Sequence, residues 1–144
     1  MESRIFHTRS EEETIALGRE LGAEFGPGVV LLIGNLGAGK TTLAKGIVQG
    51  ANGTPIEEVS SPTFTLIHQY GGEGQRRVYH IDLYRLDEIR EVENLGLDEL
   101  FASDALVLLE WAERFPSLLP AKQTQIHLQT LADDTREIVV KAVG

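Results

Sequence analysis

The stretch Gly34-Asn35-Leu36-Gly37-Ala38-Gly39-Lys40-Thr41 decides how this chain is read. It satisfies G-x-x-x-x-G-K-[ST], a spacing that builds a loop around phosphate oxygens. The glycines let backbone N–H groups turn inward and approach an anion without interference from a Cβ. Immediately before it, residues 29–33 read Val-Val-Leu-Leu-Ile, continuously apolar as a strand covered on both faces must be. After it, residues 41–49 carry a helical pattern that the Gly50 to Pro55 stretch is expected to break. A buried strand, a glycine loop and a helix in that order turn the motif into a phosphate cradle, with the positive end of the helix aimed at the ligand. Within it Asn35, Leu36, Gly37, Ala38 and Gly39 supply backbone, Lys40 reaches the β- and γ-phosphates, and the hydroxyl of Thr41, followed by Thr42, is placed for Mg²⁺.

Outward from the loop the chain organises as an α/β domain. Ser10-Glu11-Glu12-Glu13 has a capping-box pattern, and Ile15, Leu17, Leu21 and Phe25 give the first helix an apolar face that ends at Gly26-Pro27-Gly28. Residues 64–70 and 77–82 read as two strands joined through Gly71-Gly72-Glu73-Gly74. Helical patterns cover residues 87–93 and 97–101, split near Gly96. Residues 105–109, Ala-Leu-Val-Leu-Leu, form a second buried strand. The tail alternates at Ile126, Leu128 and Thr130, turns at Asp133-Asp134 and resumes at residues 138–140. The expected architecture is a P-loop NTPase-like three-layer sandwich, with a mixed β-sheet and a C-terminal hairpin, in a single domain over residues 1–144.

Composition removes several classes of function. With no cysteine, disulfides and thiolate metal sites are excluded and a reducing compartment is favoured. The first residues have no apolar core of signal-peptide length, and no apolar run approaches the roughly 18 residues of a membrane span, so a soluble, cytoplasmic protein without a membrane partner is expected. Thirteen Lys and Arg face 22 Asp and Glu, a net charge of −9, and the only adjacent basic pair is Arg76-Arg77. Such a surface repels a polyanion and argues against direct binding of DNA or RNA.

A P-loop needs a carboxylate at the end of a neighbouring strand, to hold Mg²⁺ or to orient water. Asp82 ends the pattern Val78-Tyr79-His80-Ile81-Asp82, and Glu110 follows the run 105–109 directly. Mg²⁺ takes few carboxylates and keeps several waters, so one acid would bind metal and the other would act on water. His68 and His80 read as packed or solvated strand residues, and Trp111 as a packing residue or one that stacks on a ring or a partner. Ser61-Pro62-Thr63 lies where a nucleoside triphosphatase carries a switch segment, or forms a turn into the next strand.

Four segments together carry a family resemblance: GNLGAGKTT at 34–42, SPTFTL at 61–66, HIDLYRL at 80–86 and LEW at 109–111. In this order the chain resembles TsaE (YjeE), the small bacterial P-loop ATPases of tRNA threonylcarbamoyladenosine (t⁶A) synthesis. The resemblance implies binding of ATP and Mg²⁺, weak hydrolysis by the protein alone, and TsaD and TsaB as partners. That pair modifies adenosine 37 of tRNAs reading ANN codons, so tRNA is met only indirectly and ATP turnover would reset the complex. It further implies that Glu110 is the second metal ligand beside Thr41, that Asp82 acts on the attacking water, and that Thr63 and Lys40 join in catalysis. Glu11, at the start of the first helix, and Arg136, in the last hairpin, are implied near the nucleotide. The chain departs from the family at Asn35, where an aspartate is common. Asparagine keeps the size and an acceptor but loses the charge, so the backbone cradle survives and any role for a carboxylate there does not.

Three rival readings share the P-loop. A small-molecule kinase would need an acceptor pocket and an arginine-rich lid, for which no insertion is evident. A GTPase would carry Asn-Lys-x-Asp, which is absent from the sequence. A nucleotide-gated interaction module would use ATP to shape a surface rather than consume it.

Overall fold

The apolar residues before the loop become β2 (Gly28–Ile33), the middle strand of a seven-stranded sheet. The computed structural model describes residues 3–60 and 66–144. In the sheet order β1-β7-β6-β2-β5-β4-β3, β2 lies between β5 (Leu106–Glu110) and β6 (Gln123–Thr130) and is parallel to both. β4 (Val78–Asp82) continues the parallel set beside β5, while β3 (Ile67–Tyr70) and β7 (Arg136–Val143) run antiparallel to their neighbours. The expected mixed sheet and C-terminal hairpin are present. Residues 64 and 65, expected at the start of β3, lie outside the described residues.

Strand alternation divides β2 between two cores. Val30 and Leu32 face the pair α1 (Glu11–Glu24) and α2 (Lys40–Asn52), where Leu43, Ala44 and Ile47 are fully buried. Val29 and Leu31 face the other layer, built from α3 (Ile89–Glu93), α4 (Leu97–Phe101) and short 3-10 turns at Ala112–Arg114 and Pro116–Leu118. Burying one such Leu or Ile side chain contributes about 1.5–3 kcal/mol, so a continuously apolar run is stable only in mid-sheet.

Half of the capping box at α1 forms, with Ser10 Oγ accepting from Glu13 N at 3.1 Å; Glu13 Oε1 accepts instead from the N–H of Arg9, the residue before the cap, at 3.1 Å. It pins the chain direction where β1 (Ser3–Thr8) passes into the helix. β1 itself has no strand signature in the sequence. Among the described residues it is an edge strand paired only with β7, with Phe6 packed against the core and Thr8 buried against Thr14 of α1.

One expectation is corrected. α2 does not break at Gly50 but runs to Asn52, capped by Gly53 at φ 82°. Gly50 is a contact residue: a Cβ there would sit 2.0 Å from the Arg19 carbonyl oxygen, as one at Gly22 would sit 2.1 Å from that of Ile47. Missing side chains let α1 and α2 touch backbone to backbone, and that contact outweighs the poor helix propensity of glycine.

Among the described residues no helix is long and apolar enough to cross a membrane.

Candidate functional site

The loop between β2 and α2 closes over the carboxyl end of the parallel strands, where open α/β sheets place their ligand crevices. It turns on Gly37 at φ 80° and Gly39 at φ 100°, backbone states that a side chain disfavours. Gly39 caps α2 with no side-chain hydrogen bond, so the N–H groups of the first turn are left for a ligand. A cleft of about 660 Å³ opens there. Its walls are Leu36, Gly37, Gly39, Lys40, Thr41 and Thr42 from the loop and α2, Asp82 and Tyr84 from the end of β4, Glu110 and Trp111 from the end of β5, Arg9, Ser10, Glu11 and Thr14 from the start of α1, and Asp134 and Arg136 from the last hairpin.

Lys40 is 5% exposed; its Nζ donates to the Gly34 carbonyl oxygen at 2.7 Å and lies 3.5 Å from the centroid of the Trp111 ring. Burial holds its pKa below the usual lysine range, against the opposing pull of Glu110, Glu113 and Asp82. Asp82 and Glu110 end adjacent parallel strands and are direct register partners. The Asp82 carboxylate accepts from Tyr84 N at 2.9 Å. Burial pushes its pKa up; the Tyr84 N–H opposes that, the charge on Glu110 adds to it, and His80 and Lys40 pull it down. Glu110 is almost wholly buried, and its Oε2 lies 2.5 Å from His80 Nε2.

Most of the expected site residues therefore converge on one cleft. Glu11 opens α1 at its rim, and Arg136 approaches the loop closely enough that a Cβ on Gly39 would lie 3.7 Å from its Nε. Ala38 is buried behind the loop, its N–H bonded to the Asn35 carbonyl oxygen at 3.0 Å. Asn35 does not face the cleft; it lines a separate hollow with His127, Gln129 and Glu137. Thr63 lies outside the described residues.

The sequence reading gave His80 and Trp111 to packing, whereas the structure puts the first on Glu110 and the second in the cleft wall under Lys40. Arg9 carries no sequence signal, and Tyr84 and Asp134 read only as part of HIDLYRL and of a turn, not as lining the cleft. Arg114 is a further omission: its Nη2 donates to the carbonyl oxygens of Leu83, Tyr84 (3.2 Å) and Leu86 (2.8 Å), bracing the segment after Asp82 against the one after Glu110.

A glycine loop with an inward lysine, set between a central parallel strand and its helix, defines a protein of the P-loop NTPase-like fold. The family model described as "Threonylcarbamoyl adenosine biosynthesis protein TsaE" matches residues 8–138, and the chain belongs to that family. A Bacillus subtilis (strain 168) relative named tRNA threonylcarbamoyladenosine biosynthesis protein TsaE is 43% identical over 145 aligned positions, covering 100% of this chain and 89% of the relative. A Treponema pallidum (strain Nichols) protein of the same name is 39% identical over 134 positions, covering 92% and 96%. The crystal structure of Bacillus subtilis YdiB superposes with a TM-score of 0.79 at 36% identity, over 99% of this chain and 87% of that one.

Proposed function

We propose that this protein binds ATP with Mg²⁺ in the cleft, hydrolyses it slowly alone, and in the cytoplasm serves the complex that forms t⁶A on tRNA. The observation that carries this reading is the convergence of Lys40, Asp82 and Glu110 on one cleft floored by the glycine loop. The family, and the names its relatives bear, support the tRNA-modification role. The partners under this reading are TsaD and TsaB, which perform the transfer themselves, and tRNA is reached only through them.

The loop backbone and the first turn of α2 receive the phosphates. Lys40 leaves the Gly34 carbonyl for the β- and γ-phosphates, so a neutral acceptor is exchanged for an anionic one. The donor set fits Mg²⁺: Thr41 offers a hydroxyl and Glu110 a carboxylate in the same cleft, the few hard oxygen ligands this ion takes when phosphate and water complete its shell. Bound there, the ion would screen and polarise the transferred phosphoryl group. Asp82, with its raised pKa, acts on the attacking water, since a base is more effective as its pKa nears the working pH. Glu11 and Arg136, brought near each other by the pairing of Thr8 with Arg136, border the nucleotide, and Thr63, in the sequence after α2, is given a part in catalysis.

Phosphate release by the purified protein, with and without TsaD and TsaB, tests the proposal. Strong stimulation by the pair is expected, together with loss of multi-turnover t⁶A synthesis in Lys40→Ala. No response to the pair, or phosphoryl transfer from ATP to a metabolite, overturns it in favour of a kinase. Normal multi-turnover t⁶A synthesis with Lys40→Ala overturns the role given to ATP.

A further inference from the structure

We infer that His80 is a positioning residue that aims the Glu110 carboxylate into the cleft. The inference rests on the reading of Glu110 as a metal ligand. Alternation along β4 puts Val78, His80 and Asp82 on the face toward α1 and α2. Val78 joins the apolar core and Asp82 reaches the cleft; His80, between them, is fully buried. An aliphatic side chain would suit that position by packing alone. The imidazole is costly there, because its Nδ1 is buried without a hydrogen-bond partner among the described residues. What it provides in return is the 2.5 Å contact from Nε2 to Glu110 Oε2.

That contact does what packing cannot. The last torsion of a glutamate is broad, so packing of its methylenes leaves the carboxylate plane poorly fixed. A carboxylate that ligates a metal only accepts, so under that reading Nε2 is the donor, which sets the plane from the core side while Glu110 still lines the cleft. His80 is paired with Leu108 in the ladder and Asp82 with Glu110, so the contact runs diagonally across two strands. The strand register thus fixes the separation of the two backbones that carry it. Hydrogen bonds of this kind to ligating side chains orient them toward a metal.

The test compares His80→Gln, which keeps an N–H donor near the position of Nε2, with His80→Met, which has similar length and no donor. Mn²⁺ affinity is measured by electron paramagnetic resonance on protein saturated with the non-hydrolysable analogue AMP-PNP, and AMP-PNP affinity itself is measured in EDTA. His80→Met is expected to weaken Mn²⁺ binding about 10- to 100-fold, with metal-free AMP-PNP affinity held within about twofold and His80→Gln recovering most of the loss. Should His80→Met not fold, His80→Asn, whose shorter amide falls short of Oε2, takes its place. Wild-type Mn²⁺ affinity in the donorless variant overturns the inference, as does a folded His80→Gln no better than it. Glu110→Gln separates the two levels. If it binds Mn²⁺ like wild type, the reading of Glu110 as a ligand falls; if it is weakened and His80→Met is not, only the role of His80 falls.

Discussion

Lys40 and Trp111 meet in the wall of the cleft, with Nζ 3.5 Å from the ring centroid. The lysine cannot serve a phosphate from there without leaving the ring, and Trp111 is the only tryptophan in the chain. Its fluorescence therefore reports the exchange without background. Saturable addition of ATP is expected to change the emission, and Lys40→Ala to start from an altered spectrum. That variant should also bind ATP about 10- to 100-fold more weakly, the loss of one charged hydrogen bond of roughly 1.5–3 kcal/mol. Calorimetric ATP binding with an unchanged spectrum would show that the lysine does not move.

Asp82 gives a pH dependence of definite sign. Its pKa is raised in the folded protein above the ordinary value of 3.8, mainly by burial. The folded state then holds the proton more tightly than the unfolded one, so stability is greatest below the unfolded pKa and falls as pH rises through the folded pKa. At neutral pH the buried charge costs stability. In metal-free protein, Asp82→Asn should raise Tm by a few degrees at neutral pH, and the gap to wild type should close as pH falls toward 3.8. The same variant should lose about 10²-fold or more in phosphate release, because the base is gone. A gap that is constant with pH, or a lower Tm, refutes this account.

The helix pair shows how a sequence signal can be ambiguous. Glycine in mid-helix reads as a breaker when only the chain itself is considered, and on that view Gly50→Ala should stabilise the helix by up to about 1 kcal/mol. In the fold a methyl group at Gly50 meets the Arg19 carbonyl oxygen at 2.0 Å, and the two backbones must separate. The expected result is a loss of about 1–3 kcal/mol, the cost typical of overpacking, measured by urea unfolding. An unchanged or higher stability would return Gly50 to the role of a breaker.

What was legible follows the same line. The loop, the apolar strands beside it and the acids at their ends are written in adjacent letters, whereas the direct pairing of Asp82 with Glu110 comes from the strand order. Arg9, Asp134 and Arg136 reach the cleft because the sheet order brings β7 and the start of α1 beside the loop, and no local pattern encodes that order. β1 escaped because an edge strand that turns in only Phe6 and the polar Thr8 needs no apolar alternation. His80 and Trp111 were legible as residues of a strand and a strand end, but their partners lie across the sheet or across the cleft.

Asn35 is the loop's departure from its family, and its position limits what restoring the acid can do. The residue is exposed, holds the loop through its carbonyl oxygen bonded to Ala38 N at 3.0 Å, and lines the hollow shared with His127 and Glu137 rather than the cleft. Asn35→Asp leaves that backbone bond intact. The added charge faces Glu137 in an open hollow, where salt screens it over about 8–10 Å. ATP affinity at physiological salt should change by less than about threefold, since exposed charges contribute about 0–1 kcal/mol. A tenfold loss of affinity would mean that this side chain reaches the phosphates. Strong stimulation of phosphate release with unchanged affinity would mean instead that it reaches the reacting water; neither is compatible with its place outside the cleft.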